Sequence, residues 1–311
     1  MGTTYHVTAI TTGAGSIDGL QAKIEGRLDE VNRSLSTWIE ESEISRFNRL
    51  REVGAEFPIS EDFLQVMTAA AEIFATSDGA WDGTVRPLVD LWGFGPGGPV
   101  LSAPSAEGIA AAKAEVGFDK IEIRPLGALV KRHPSVTVDL SSIAKGYGVD
   151  AVAEVMRGEG FTDFLVEIGG EVSAAGARRD GGAWRVGINR PDPEVDPDEV
   201  YLVVPLVGRA LATSGDYRSY VLEDGIRRSH VIDPRSGQPV ADGVVSASVL
   251  APSCMQADGL ATAVMVMGAE AGLALVERLD DVEALVLVER QGGFLEEHAS
   301  SGFPTQSAPS S

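Results

Sequence analysis

Several short segments of the chain alternate between apolar and polar residues, which is the pattern of half-buried β-strands. The first segment is TYHVTAITTG at residues 4–13. Short strands are also predicted over KIEIR (120–124), ALVKR (128–132), SVTVDL (135–140), AWRVGINRP (183–191), YLVVPLVG (201–208) and RALATSG (209–215). A longer one, DFLVEIGGEVSAAG (163–176), is interrupted by Gly169 and Gly170. The pattern predicts strands over all of these segments, with a break at the two glycines.

Other segments place apolar residues three and four positions apart, as amphipathic helices do. SIDGLQAKIEGRLDEVNRSLSTW (16–38) shows this spacing from Ile17 to Leu35. Ser60 is a suitable N-cap for a second helix, which ends on Gly79. Further helices are predicted over 106–117, over 142–158 and over about 255–279.

The order of these elements predicts an α+β fold class. From residue 163 onward the strands follow one another through hairpin-like turns, and only one long helix interrupts them. Such runs favour a mixed, largely antiparallel sheet with packed helices over a doubly wound parallel sheet. We expect a single domain over residues 1–295, with a division into two subdomains left open and the loop at 95–105 as its best boundary. We expect residues 296–311 to form a disordered tail.

Composition narrows the class of protein. Apolar residues make up 44% of the 311 residues, which is typical of a soluble globular chain. The formal net charge of −21 argues against binding to nucleic-acid phosphates or to anionic lipid. The single cysteine, Cys254, excludes an internal disulfide and a cysteine metal cluster. No uninterrupted apolar run reaches the roughly 18 residues that predict a membrane span.

The segment VTVDLSSIAKGYGVDAV (136–152) places Lys145 about one turn into a predicted helix. The helix dipole disfavours a cation there by roughly 0.3–1 kcal/mol, so on this argument alone removal of Lys145 should slightly stabilise the fold. Two interpretations are open: a solvated surface lysine, or a lysine facing an anion bound at the helix start. Asp139, just before the helix, is open to a similar choice between a helix cap and a site residue.

A pair of polar residues stands out in the apolar helix MQADGLATAVMVMG (255–268). Asp258 and Thr262 are four residues apart and so share one face. A buried carboxylate must be paired or bind a cation, and a carboxylate with a hydroxyl suits magnesium better than zinc. The alternative is a capping aspartate and a threonine bonded back to its own helix.

His230 lies in the strand-like SHVID, before a turn in which Asp233 is most simply a turn residue. It is either a general base that acts near neutral pH or a structural histidine. Trp38, Trp81 and Trp92 could stack on a planar ring or fill the core. Together, a base, a magnesium pair and an anion-binding helix start indicate magnesium-dependent chemistry on a phosphate ester.

Eight segments, in this order, resemble the ApbE-type flavin transferases, the FAD:protein FMN transferases. They are MGTTY, LSTWIEESEISRFN, DGAWDGTVRPLVDLWGFGP, VDLSSIAKGYGVD, FLVEIGGEV, ATSGDYRSY, RRSHVIDPRSGQP and MQADGLATAVMVMG. The resemblance extends from Met1 to about Gly268. It implies an ApbE-like, T-fold-related architecture and an enzyme that transfers the FMN part of FAD to a threonine or serine hydroxyl of an acceptor protein, releasing AMP.

The resemblance also implies roles for individual residues. His230 would be the catalytic base, and Mg²⁺ would be held by Asp258, Thr262 and the backbone carbonyl of Ser142. Relatives often have alanine at the position of Ser142, a change to which a carbonyl ligand is indifferent. The residues that would contact FAD are Met1, Trp38, Gly79, Ala80, Trp81, Asp139, Lys145 and Ile232.

Two alternatives to a transferase remain open at this point. An FAD pyrophosphatase, giving FMN and AMP, would use the same site with water as the nucleophile. A flavin-binding or carrier protein would need neither His230 nor the metal pair. The acceptor that the resemblance implies is a redox or electron-transport subunit. The location it implies is the periplasm or the outer face of the cytoplasmic membrane, with lipoprotein attachment and with a leader removed upstream; the alternative is the cytoplasm.

Overall fold

The computed structural model describes residues 2–11, 17–95, 97–98, 100, 102–192, 195–196, 199–216, 220–223, 226–240, 243–290 and 292–304. Its helices are α1 Leu20–Leu35, α2 Glu43–Arg49, α3 Glu61–Thr76, α4 Arg86–Leu91, α5 Ala106–Glu115, α6 Ser141–Gly158 and α7 Cys254–Val276. Its strands in the first half are β1 Tyr5–Ala9, β2 Glu56–Pro58, β3 Ile121–Arg124, β4 Ala128–Lys131, β5 Phe164–Ile168 and β6 Glu171–Ala175. The remaining strands are β7 Trp184–Asn189, β8 Val200–Leu206, β9 Ala210–Gly215, β10 Tyr220–Glu223, β11 Ile226–Ser229, β12 Ile232–Asp233, β13 Gln238–Pro239, β14 Val244–Ala251, β15 Glu283–Arg290 and β16 Phe294–Ala299.

The chain folds into two compact units. Unit 1 consists of Met1–Glu30, Ile143–Arg218 and Val244–Ser311, and unit 2 consists of Val31–Ser142 and Ser219–Gly243. The chain therefore passes from one unit to the other more than once. The boundary predicted at 95–105 is wrong, because this loop lies inside a continuous part of unit 2.

Unit 1 is built on an antiparallel sheet, in which the described strands have the order β1-β5-β6-β9-β14-β15-β16. In β5 the side chains of Phe164, Val166 and Ile168 are buried, while those between them are half-buried. This is the burial that the sequence alternation predicts. Gly169 and Gly170 form the turn to β6 with φ of 62° and 103°, which side-chain-bearing residues rarely adopt. The α+β fold class with an antiparallel sheet is confirmed.

Helix α7 is the core helix of unit 1 and contacts β9, β14 and β15. Its length and its mean hydropathy of 1.7 would also allow it to cross a membrane, but most of its apolar stretch is buried in the fold. The helix is kinked at Gly268, where φ is 81° and ψ is 172°. Strand β14, against which it packs, is buried along its whole length. The burial therefore assigns α7 to the protein core.

Unit 2 contains α2 to α5 and a small antiparallel sheet of β2, β4 and β3. The predicted cap of α3 is confirmed, because Ser60 Oγ accepts the N–H of Phe63 at 3.3 Å. The helix ends at Thr76, before the predicted Gly79. Ser105 caps α5 in the same way, by accepting the N–H of Gly108 at 3.1 Å.

The strand predicted over SVTVDL is wrong, since residues 136–140 are outside the described strands. The alternation does report burial, because Val136, Val138 and Leu140 are all buried. However, the backbone of Val138 bonds to a side chain instead of a neighbouring strand. Its N–H donates to Asn48 Oδ1 at 2.7 Å, and its carbonyl accepts Asn48 Nδ2 at 2.8 Å. An asparagine amide thus replaces the partner strand.

The disordered tail predicted from residue 296 begins too early. Residues 296–299 belong to β16, which pairs with β15. Phe303, beyond the strand, is buried in an apolar cluster of unit 1 with Trp184 and Leu287. The tail prediction for residues 305–311 lies outside the described residues.

Unit 2 contains a buried lysine, Lys131, at the end of β4. Its ammonium donates to the carbonyl of Leu50 at 2.9 Å and lies 4.9 Å from the centre of the Phe47 ring. Burial, with a smaller contribution from Arg51, lowers the pKa of Lys131 from 10.5 to about 8. The folded chain therefore releases this proton at a lower pH than the unfolded chain.

We expect this difference to appear in the pH dependence of stability when wild type is compared with Lys131→Met. Between about pH 8 and 10.5 the unfolded wild type still binds the proton that the folded chain has lost. The free energy of unfolding of wild type should therefore rise relative to the variant, by about 2–3 kcal/mol across this window. Denaturant titrations at about pH 8 and at about pH 10.5 measure this change in the free energy of unfolding. Lys23→Met, which removes an exposed lysine, is the control. A difference that does not change with pH would contradict the assignment.

Candidate active site

Lys145 lies at the centre of a cluster of charged residues in unit 1, one turn after the start of α6. Its ammonium forms an ion pair with Glu171 Oε1, at the start of β6, and lies 3.8 Å from Asp258 Oδ1, on α7. The carboxylate side chains are almost fully buried, with 3% and 5% exposed, while 32% of the lysine side chain is exposed. We call Lys145, Glu171 and Asp258 the acidic cluster.

Two contacts between α6 and α7 hold Asp258 in place. The N–H of Gly146 donates to Asp258 Oδ2 at 2.9 Å. The helices approach so closely here that a Cβ on Gly146 would lie 2.3 Å from the carbonyl oxygen of Cys254. Asp150, one turn further along α6, accepts the N–H groups of Cys254 at 2.9 Å and of Met255 at 2.8 Å. The first turn of α7 is therefore anchored directly to α6.

The electrostatics of the acidic cluster are unbalanced, since two buried carboxylates share one ammonium. Burial raises the pKa of Glu171 to about 8, with Asp258 adding to the shift and Lys145 opposing it. Burial also raises the pKa of Asp258. Burial alone would lower the pKa of Lys145, but the attraction of both carboxylates outweighs it and raises that pKa. A further cation at this position would offset the surplus negative charge.

Lys145 thus forms ion pairs with Glu171 and Asp258 that the sequence did not predict. The expectation that its removal would slightly stabilise the fold is wrong, because the ion pairs outweigh the helix dipole. A dipole contribution is roughly 0.3–1 kcal/mol, whereas breaking a buried ion pair costs roughly 3–5 kcal/mol. Whether Lys145 also contacts FAD stays a prediction.

Lys145→Ala is therefore expected to lower the free energy of unfolding by about 2–3 kcal/mol, less than for a fully buried pair because part of the lysine side chain is exposed. Lys23→Ala is the matched control, since Lys23 forms an exposed ion pair with Glu159 at 2.6 Å. The control should change by less than about 1 kcal/mol. Denaturant titrations of wild type, Lys145→Ala and Lys23→Ala measure these free energies of unfolding. If Lys145→Ala loses no more stability than Lys23→Ala, the structural role assigned to the Lys145 ion pairs is contradicted.

Thr262 lies one helical turn after Asp258. Its hydroxyl pairs with Ser214 Oγ of β9 at 2.9 Å, so the threonine contacts the sheet. Within the described residues, no group of three or more His, Cys, Asp or Glu side chains could hold a metal ion. A cation bound here would thus rely on few carboxylates, with hydroxyls, carbonyls or water, as Mg²⁺ commonly does.

Glu171 supplies an independent indication that a cation fits this cluster. Among the described residues, its Oε2 is buried and has no hydrogen-bond partner. Buried polar atoms without a partner are rare in native proteins and call for an explanation such as a bound ion or water. The residues present therefore fit a bound divalent cation.

Trp81 and Trp38 occupy opposite environments in unit 2. Trp81 is only 1% exposed, packs 6.1 Å from Phe118 between ring centres, and donates its Nε1–H to Ser142 Oγ at 3.0 Å. This packing does not support stacking of the Trp81 ring on a ligand. Trp38 is 87% exposed and is available for such stacking. Trp81 engages the side chain of Ser142, and the metal contact predicted for the Ser142 carbonyl stays a prediction.

Asp139 stands at the entry to α6 and is half-buried. It accepts the N–H of Ser141 at 3.0 Å and an N–H of Arg86 at 2.9 Å. Arg86 also donates to Asp90 at 2.7 Å. The capping interpretation of Asp139 is confirmed by these contacts, and its contact with FAD stays a prediction.

His230 lies between β11 and β12, so the predicted continuous strand over SHVID is interrupted. The turn is stabilised by Ser229 Oγ, which accepts the N–H of Val231 at 3.1 Å. The imidazole is half-buried and meets Phe94 edge-on, with 6.4 Å between ring centres. Asp233 is a turn residue as predicted, since it accepts the N–H groups of Arg235 at 2.9 Å and Gly237 at 2.7 Å.

The remaining residues predicted to contact FAD differ in their exposure. Gly79, with φ of 71°, lines a pocket of about 340 Å³ in unit 2, together with Lys113 and Arg235. Ala80 and Ile232 are buried. Met1 lies outside the described residues. These four assignments stay predictions.

Sequence reasoning did not assign three residues that complete the acidic cluster and its support. They are Glu171, Asp150 and Ser214, which belong to β6, α6 and β9. The only local signal was an acidic residue directly after the Gly169–Gly170 turn, in the segment VEIGGE. A charge after a turn is usually solvated, so this signal did not distinguish Glu171.

Comparison with known proteins identifies the class to which this chain, with its antiparallel α+β fold and its acidic cluster, belongs. The sequence profile of the ApbE family matches residues 1–286. A relative in Vibrio cholerae called FAD:protein FMN transferase is 43% identical, over 97% of this chain and 89% of the relative. The protein of the same name in Haemophilus influenzae is 39% identical, over 97% of this chain and 88% of the relative.

Solved structures agree with the sequence comparison. The flavin transferase ApbE from Vibrio cholerae superposes with a TM-score of 0.86 at 42% identity, covering 97% of this chain and 95% of that chain. The apo form of the Pseudomonas stutzeri flavinyl transferase ApbE superposes with a TM-score of 0.85 at 39% identity, covering 97% and 92%. The chain described here belongs to the ApbE family.

Proposed function

We propose that this protein is an FAD:protein FMN transferase. The observation that carries the proposal is the acidic cluster, with Thr262 one turn from Asp258, in a chain that matches transferases of this name over nearly its whole length. The cluster combines a lysine for an anionic substrate with carboxylates for a cation. A protein that only carried flavin would need no such arrangement.

In the proposed reaction, a threonine or serine hydroxyl of the acceptor attacks the phosphorus of the FMN half of FAD. A new P–O bond forms to the acceptor, and the pyrophosphate P–O bond breaks, so that AMP leaves with the bridging oxygen. His230 takes the proton of the attacking hydroxyl as general base. Lys145 binds a phosphate oxygen of the dinucleotide through the exposed part of its side chain, and Trp38 stacks on a planar ring of the substrate.

Mg²⁺ is part of the proposal. Asp258 and Thr262 would hold it, and the carbonyl of Ser142 is a third ligand implied by the family resemblance. When bound, the ion stabilises negative charge on the pyrophosphate oxygens. Asp150 and Gly146 support this arrangement by fixing the start of α7, on which both side-chain ligands lie.

The acceptor in this proposal is a redox or electron-transport protein, and the proposed location is the periplasm or the outer face of the cytoplasmic membrane. Both rest on the family resemblance. The FAD pyrophosphatase alternative uses the same residues, with water in place of the acceptor hydroxyl, and a reaction with a candidate acceptor distinguishes the two.

The test is an incubation of the protein with FAD, MgCl₂ and a candidate redox subunit, followed by intact-mass measurement of the subunit and chromatography of the nucleotides. A transferase adds the mass of FMN to the subunit and releases one AMP for each subunit modified. Free FMN and AMP with an unmodified subunit would identify a hydrolase. Unchanged FAD with every subunit tried would contradict both enzymatic functions.

A further inference from the structure

Glu171 is a buried acidic residue to which the proposed mechanism gives no role. It begins β6 directly after the Gly169–Gly170 turn, and 3% of its side chain is exposed. One carboxylate oxygen, Oε1, is engaged by Lys145. The other, Oε2, is buried and has no hydrogen-bond partner within the described part of the chain.

Such an arrangement is costly unless a further group completes it. A buried acceptor left without a partner loses its hydrogen bonds to water without replacement, and the cost is larger when the group is charged. Lys145 does not satisfy Oε2, since its ammonium is paired with Oε1 of Glu171 and lies 3.8 Å from Asp258 Oδ1. Within the described residues Oε2 thus has no donor, and a bound cation or its water would supply one.

Mg²⁺ bound by Asp258 and Thr262 would bring such donors with it. Mg²⁺ dehydrates reluctantly and usually keeps several of its waters in protein sites. Those waters are strong hydrogen-bond donors, and carboxylates are their usual acceptors. Glu171 and Asp258 contact the same ammonium, so Oε2 is in the immediate neighbourhood of the cation.

We propose that Glu171 is an outer ligand of the divalent cation, whose Oε2 accepts a hydrogen bond from a metal-bound water while its Oε1 positions Lys145. This inference rests on the metal pair of the proposed function, Asp258 and Thr262, and adds a second acidic residue to it. Glu171 then has two tasks, to increase cation affinity and to hold Lys145 near the site. Loss of an outer ligand typically weakens metal binding 10–100-fold.

The test is a titration of the whole protein with Mn²⁺, followed by electron paramagnetic resonance of the free ion, in the presence and absence of FAD. Glu171→Gln keeps one oxygen that can accept a hydrogen bond from Lys145. It replaces the other carboxylate oxygen, Oε2, with an NH₂ group, which donates hydrogen bonds and does not accept them. We expect its dissociation constant for Mn²⁺ to rise 10–100-fold. Glu167→Gln, on the same hairpin but half-exposed, is the matched control and should bind Mn²⁺ as wild type does.

Thermal unfolding provides a second measurement. Without metal, Glu171→Gln should melt at or above the wild-type temperature, because the variant no longer buries a second carboxylate. With saturating Mg²⁺, the rise in melting temperature should be smaller in the variant than in wild type. A residue that only positioned Lys145 would give a lower melting temperature without metal and an unchanged response to Mg²⁺.

Asp258→Asn separates failure of this inference from failure of the proposed function. If Asp258→Asn loses Mn²⁺ binding and Glu171→Gln does not, the role of Glu171 is wrong and the metal pair stands. If both variants bind Mn²⁺ as wild type does, the metal pair itself is wrong. Should Glu171→Gln not fold, Glu171→Asp withdraws the carboxylate by one methylene while keeping its charge. Wild-type affinity in that variant would equally overturn the inference.

Discussion

Replacing His230 with alanine is expected to reduce FMN transfer by about 10²–10⁴-fold, the usual contribution of a general base. The imidazole would act on the acceptor hydroxyl, so the binding of FAD should change by no more than a few-fold. The melting temperature should stay near that of wild type, because the side chain is only half-buried and Ser229 Oγ accepts the N–H of Val231 in the turn around it. Single-turnover transfer rates, measured with FAD in excess, report the chemical step separately from binding.

His133→Ala is the matched control for this prediction. His133 is also a half-buried histidine of unit 2, and its ring accepts the N–H of Ser135 at 3.3 Å. The control should transfer FMN at nearly the wild-type rate. A His230→Ala variant as active as the control would place the base elsewhere. A variant that no longer binds FAD would assign His230 to substrate binding and overturn its role as base.

Asp258→Asn is expected to lower transfer at least about 100-fold at low magnesium, with partial recovery as the magnesium concentration is raised. The substitution keeps the shape of the side chain and leaves one oxygen to accept the N–H of Gly146. It removes the negative charge that would bind the cation. The fold should survive, because the variant relieves the repulsion between two buried carboxylates.

Glu270→Gln tests whether this effect depends on position or only on charge. Glu270 lies on the same helix, but its side chain is exposed. Transfer rates for both variants should be compared over a range of magnesium concentrations. The control should follow the wild-type curve throughout. If Asp258→Asn also follows it at low magnesium, Asp258 is not a metal ligand.

Much of the fold follows from local sequence signals. Alternation located β5 and β6, Gly169 and Gly170 located their turn, and Ser60 located the start of α3. These features depend on residues adjacent in the chain, through backbone conformation, capping and burial of one face. SVTVDL shows the limit of that reasoning, because burial alone does not require a strand partner. Asn48, distant in sequence, satisfies the backbone of Val138 instead.

Some residues of the candidate site were likewise predictable from local sequence, and others were not. Asp258 and Thr262 were visible in the sequence because two polar residues on one face of an apolar helix require a reason. His230 was a candidate base from its position in the sequence, and the resemblance favoured that role over a structural one. Glu171 carried no such local signal. Trp81 and Trp38 were not distinguishable by sequence pattern, yet one is core and the other is almost fully exposed. A tryptophan's role depends on what covers it, and local spacing does not specify that.

The sequence by itself determined the fold class, the family and the residue types available for the chemistry, because each of these is encoded by periodicity or by local motifs. Only the tertiary structure decided the environment of Lys145. The sequence shows a cation placed against a helix dipole, whereas the fold brings β6 and α7 to it and surrounds it with two buried carboxylates. Electrostatic energies inside a protein depend on distance and on exclusion of water, and both are set by packing between segments remote in sequence.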